Sequence, residues 1–221
     1  MNSTLAELIP LALVVAISPV PILAVIVMLL TDYERANPLA YLCGWAVTLC
    51  AVVAIAALSG FDSISTTPST TFAVVLVVVA VVMMILAMHE WRLRPRRGEP
   101  HKVEAWMRVL HTITPPRAFG LGVILMIISA KRMLVTTQAG AVISDDSLPL
   151  ILSIVAAAIF VAISSATILI PIAIAAAFGK RSVPVLHRWR AWLERHGRLV
   201  AAAILALVAL LLLARGLSVL L

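Results

Sequence analysis

Six apolar stretches, near residues 5–30, 38–60, 70–90, 117–143, 149–178 and 199–219, alternate along this chain with short polar links. Each matches the roughly 20 residues that a helix needs to cross a bilayer. No soluble core accommodates them all: 63% of the residues are hydrophobic and only 12% charged, against a usual balance of about one half and one quarter. Inside lipid only helices and closed barrels satisfy their own backbone polar groups, and runs of this length read as helices. The expected fold is an all-α integral membrane protein with six transmembrane helices. The first stretch lacks a basic leading region and an evident cleavage site before polar Thr31 to Asn37, so it reads as a spanning helix rather than a removable signal peptide.

Charge in the links sets an expected orientation, because Lys and Arg in short loops stay in the cytoplasm. Seven basic residues lie between Arg92 and Arg117, six between Lys180 and Arg198, and Arg35 sits in the first link. The intervening links, 61–69 and 144–148, hold only Asp62, Asp145 and Asp146. Both termini are therefore expected outside a cytoplasmic (inner) membrane, and the net charge of +7 is a topology signal with no nucleic acid implied. Each basic link carries a short amphipathic pattern, Val103, Trp106, Leu110 and Ile113 in one, and Val185, Trp189, Trp192 and Leu193 in the other. Such segments suit a membrane surface, as anchors or as a lipid-entry collar.

A shift of 111 residues places Ile17-Ser18 on Ile128-Ser129 and Pro38 on Pro149. Three spans per half would make the second half insert upside down, the inverted repeat common in secondary transporters. The expected division is a first three-helix repeat at 1–90, a basic cytoplasmic linker with an amphipathic helix at 91–116, and a second three-helix repeat at 117–221 carrying the basic amphipathic segment 180–198. In the first span, Ser18-Pro19-Val20-Pro21 removes two backbone donors and disfavours helix before each proline, so the helix is expected to break. Ser18 as cap and Pro19 as first helical residue would start a half-helix aimed at the membrane interior, a seat for an anion.

Lys131 and Arg132 lie mid-way along the fourth span with no carboxylate in the same stretch. About half a helix, roughly 15–20 Å, separates them from either surface. Buried cations there are costly and mark a cavity or partner. Adjacent helical positions diverge by about 100°, so both reach one cavity only if the backbone is irregular. Ser129 stands where Ser18 does in the repeat, while Thr136, Thr137 and Gln138 extend a polar lining. Cys43 and Cys50, seven apart on one face, read as small packing residues.

The runs Ile17-Ser18-Pro19-Val20-Pro21, Arg35 to Tyr41 with Gly44-Trp45, and Arg117 to Gly122 with Lys131 resemble the GAP family of the lysine exporter (LysE) superfamily, over essentially the whole chain. That resemblance implies six spans in two three-helix halves, a Ser-Pro motif in the first helix and an Asn-Pro-Lys motif in the fourth. GAP-family proteins address glycopeptidolipids or sulfolipids toward the mycobacterial envelope beside a larger lipid transporter. By position, Ser18, Pro19 and Pro21 fill the first motif and Lys131 the basic place of the second. Ser129-Ala130 stands where Asn-Pro is usual, so the motif argues for a sharp break in the fourth span less directly than in the first.

The function expected is export of an amphiphilic glycolipid by alternating access, its headgroup held by Ser18, Pro19, Pro21, Ser129, Lys131, Arg132 and Gln138. Membrane lipids, the glycolipid and a larger lipid transporter are the expected partners, and a homo-oligomer is compatible. Alternatives are a LysE-type exporter of small solutes such as amino acids, and an accessory scaffold that moves nothing. No enzyme, cofactor or metal site is expected: there is no His-Glu-x-x-His motif, both cysteines share one span, and the membrane interior lacks clustered His, Asp or Glu.

Overall fold

A chain this apolar must close its backbone hydrogen bonds within each segment, and the computed structural model does so with helices. It describes residues 2–31, 36–59, 113–144 and 149–220, with Leu110 and scattered positions between 77 and 92. Helices run over α1 (Asn2–Ala16), α2 (Pro19–Leu29), α3 (Ala36–Leu58), α4 (Pro115–Ile128), α5 (Ala130–Ile143), α6 (Leu150–Phe178) and α7 (Val183–Leu220). A 3₁₀ turn at Gly179–Ser182 joins the last two. Gly179 has φ +50, a left-handed position that glycine occupies at no steric cost, and its N–H closes α6 on the Ala175 carbonyl. No strand occurs among the described residues.

Two of these helices are long and apolar enough to cross a membrane: α3, and the helix that begins with α6. The number rises to 4 if α1 with α2, and α4 with α5, each form one bent span. These correspond to the expected first, second, fourth and fifth spans. Most of the third falls outside the described residues, as do Val103 and Trp106 of the first amphipathic segment. The second amphipathic segment is not a separate element. It opens α7, which runs unbroken for 38 residues through the expected sixth span, because no proline lies between Trp189 and Leu220 and Gly197 alone weakens a helix without stopping it.

The chain groups into two units, Met1–Ser63 with Lys102–Ala191, and Ile64–His101 with Trp192–Leu221. In the first, α3 packs along both α4 and α5, and α1 and α2 pack on α6. Lipid-embedded helices gain little from the hydrophobic effect and associate through close packing, which small residues permit. A Cβ on Gly44 would run into the Phe119 carbonyl, one on Gly122 into the Tyr41 carbonyl, and one on Gly140 would lie 2.7 Å from Val53 O. These three glycines therefore set how near α3 comes to the fourth-span helices. The inward face of α3 is Tyr41, Gly44, Trp45, Thr48 and Leu49. Cys43 and Cys50 fall opposite and are exposed; they share a face as expected, but it is the outward one, so they do not serve as core packing. Asn37 lies inside the first turn of α3, buried, and donates from Nδ2 to the Ile113 carbonyl at 2.7 Å, tying that turn to the approach to α4.

In the second unit, an apolar groove is lined by Ala80, Val81, Met84, Ile85 and Met88 together with Ala209 and Leu213 of α7.

Candidate functional site: a cation pair between two broken helices

The first break follows from Pro19 and Pro21. In a continuous helix Pro19 would have to donate to Val15 and Pro21 to Ile17, and neither has an N–H. Ser18 turns extended, with φ −138 and ψ 112, and α2 restarts with Pro19 in its first turn, bent 56° from α1. The break takes carbonyls at the end of α1 out of the regular ladder, and side chains from other helices bond them, although Ala16 O also accepts from Ser18 N–H at 2.9 Å. Lys131 Nζ donates to Val14 O at 3.1 Å, and Thr167 Oγ1 of α6 donates to Ala16 O at 2.6 Å. A cation at a helix C-terminus also meets the negative end of the helix dipole. Ser18 is the cap residue, as expected, yet its hydroxyl makes no bond to its own helix. With Pro19 and Pro21 lacking N–H groups, the first turn of α2 also offers fewer backbone donors than a helix start normally does. The anion-attracting groups at this break are thus mainly side chains.

The second break is the sharper of the two. The α4 and α5 axes differ by 80°, although Ser129-Ala130 supplies no proline. Ser129, with φ −83 and ψ 101, ends one helix and starts the other. The physical reason lies in Arg132, whose Nη2 donates to the Leu125 carbonyl in the last turn of α4. Its Nη1 donates to Ser18 Oγ at 2.8 Å. One guanidinium therefore closes the second break and ties it to the first. Lys131 and Arg132 both reach the end of α1 because they open α5 directly after irregular backbone, the condition set by their adjacency.

Around Arg132 the surroundings are dry and donor-rich. The residue is 6% exposed, and its Cζ lies 5.2 Å from the centre of the Trp45 ring, a cation–π contact. Tyr41, one turn before Trp45, stacks on it with centroids 6.4 Å apart. Arg132 Nε, Trp45 Nε1 and Tyr41 Oη are buried without a hydrogen-bond partner. Native interiors leave few such groups. Neither cation has a carboxylate partner among the described residues, whose only acidic members are Glu7 and Glu194, and these also contain no group of three or more His, Cys, Asp or Glu able to hold a metal.

Of the expected site residues, Ser18, Lys131 and Arg132 come together. Pro19 and Pro21 form the start of α2, where Pro21 is buried, and Ser129 sits at the second break. Gln138 is exposed, two turns along α5, and lies apart from this cluster. Trp45, Tyr41 and Thr167 join without having been singled out as site residues. Their signals were Tyr41 and Trp45 at helical spacing beside Gly44, and a hydroxyl within the apolar α6.

No curated protein and no solved structure matches this chain. The profile of one family, described as Sap, sulfolipid-1-addressing protein, matches residues 8–218. That match covers nearly the whole chain, both broken helices and the cation pair included, and the chain therefore belongs to the sulfolipid-1-addressing protein family.

Proposed function

We propose that this protein is a multi-pass inner-membrane carrier that exports an amphiphilic glycolipid by alternating access, its polar headgroup seated at Lys131 and Arg132 between two inverted three-helix repeats. The observation that carries the reading is a buried guanidinium with no carboxylate partner among the described residues, at the junction of two broken helices. Interrupted helices surrounding a mid-membrane site are the construction of many secondary transporters. The internal shift supports the repeat: α2 starts at Pro19 and α5 at Ala130, again 111 residues apart. The family's name supports a lipid cargo. Six spans, placement in the LysE superfamily, external termini and the absence of enzymatic chemistry belong to the same proposal.

A second reading, an accessory scaffold for a larger lipid transporter, has its own support: both cations already serve helix-terminal carbonyls, which is what a purely structural pair would do. Small-solute export is the third. Envelope lipid profiles and labelled amino-acid accumulation, measured in strains carrying the wild type or Lys131→Ala at equal abundance, separate the three. The carrier reading expects loss of one surface glycolipid in the variant. Full retention of the lipid profile contradicts it, and retention together with altered amino-acid efflux selects the solute exporter.

A further inference from the structure

The two cations do not have the same work to do. Lys131 donates to Val14 O, and both terminal nitrogens of Arg132 are engaged, with Ser18 and with the Leu125 carbonyl. These contacts use two of the five guanidinium N–H groups, and Nε has no partner at all. This atom belongs to a side chain in cation–π contact with Trp45, which in turn stacks on Tyr41. The three residues are 6%, 1% and 0% exposed, in that order, and each holds an unpartnered polar atom, Nε, Nε1 and Oη. Trp45 and Tyr41 are one turn apart on α3, so their rings rise from the same face.

The chemistry of these atoms narrows the ligand. A guanidinium Nε–H and an indole N–H only donate, and a phenol donates when an acceptor faces it. A metal or organic cation would meet positive charge. A neutral sugar hydroxyl would bring a donor of its own to a set that offers at most one acceptor. The set asks instead for several acceptor oxygens carrying negative charge on one compact group, and charge-assisted bonds of that kind are the strong ones. We infer that Trp45, Tyr41 and the Nε edge of Arg132 form an oxyanion-selective face of the headgroup site, accepting a sulfate or phosphate group, while Lys131 and the terminal nitrogens of Arg132 hold the helix ends. This rests on the headgroup seat proposed above and adds to it the two aromatic residues as determinants of specificity.

Conservative variants separate binding from packing. Trp45→Phe and Tyr41→Phe keep an aromatic ring and remove one buried donor each. The full chain, purified in neutral detergent, is melted in sodium sulfate, sodium phosphate and sodium chloride at matched ionic strength. In a second arm it is melted in nanodiscs containing a sulfated or a neutral glycolipid. Sulfate and phosphate stabilise proteins in general, so the readout is the difference between wild type and variants. Each variant is expected to weaken the apparent affinity about 5- to 15-fold. Without oxyanion, the melting temperature of Tyr41→Phe is expected to hold or rise, because an unsatisfied buried donor has been removed; that of Trp45→Phe is expected to fall, because the smaller ring leaves a cavity, so for this variant the affinity change alone is the readout. A differential response in the salt arm identifies a site open to free ions, and one in the lipid arm alone identifies a headgroup site; either supports the assignment. Equal responses of wild type and both variants in both arms overturn it, as does a loss of anion-free stability with affinity unchanged. The carrier reading fails separately, through an unchanged envelope profile in the Lys131→Ala strain.

Discussion

The two broken helices reach similar geometry by opposite chemistry. At Ser18 the backbone is broken by what is missing, since Pro19 and Pro21 have no N–H to continue the ladder. At Ser129 it is broken by what is added: Arg132 reaches back to the Leu125 carbonyl and across to Ser18. A proline break is permanent, whereas a break held by a side chain lasts only while that side chain stays in place. The second break is therefore the one that loss of Arg132 from its contacts would loosen, while the prolines keep the first in place.

Removing the side chain should have the largest effect. Arg132→Ala leaves Leu125 O and Ser18 Oγ without their donor and removes the cation over Trp45, at a cost of about 2–3 kcal/mol in unfolding measured in detergent. The first break should keep its pattern of amide exchange while protection changes around residues 125–133. Equal disturbance at both breaks would show that they are not held independently. A smaller effect is expected from making the second break resemble the first. Ala130→Pro places proline at the first helical position, matching Pro19 under the 111-residue shift, where no N–H is needed. It should change stability by about 1 kcal/mol or less, whereas Leu134→Pro inside α5 should cost about 3 kcal/mol. Combined with Arg132→Ala, Ala130→Pro should recover part of the exchange protection, and failure to do so would contradict the account of the second break. The smallest effect belongs to Gln138→Ala. With its side chain exposed and apart from the cluster, it should stay within about 0.5 kcal/mol and leave the lipid profile unchanged.

How far each of these features was legible follows from where its cause lies. Apolar runs of bilayer length are local, so the all-helical class and the two to four candidate membrane-crossing helices could be read directly. Pro19 and Pro21 act on their own backbone, which made the first break visible too. The second break was less legible because its cause is tertiary: nothing in Ser129-Ala130 says that Arg132 turns back onto Leu125 and forward onto Ser18. Tyr41 and Trp45 at i and i+4 look like ordinary packing until a guanidinium is found against the indole. The cysteine spacing fixed a shared face but not its direction, which depends on Gly44 drawing the opposite face against α4. Continuity through α7 was missed for a simpler reason. A run of charges changes how a helix meets its surroundings, but only a breaker residue ends it, and His196-Gly197-Arg198 contains none strong enough.

Cargo held at the cation pair is the claim on which the rest depends, and the lipids that stay bound through gentle purification test it most directly. Native mass spectrometry of the wild type beside the double variant Lys131→Ala, Arg132→Ala, at matched folding, should find an anionic lipid retained by the first and lost from the second. The same lipid retained equally by both would place cargo elsewhere and leave the two cations as caps on broken helices.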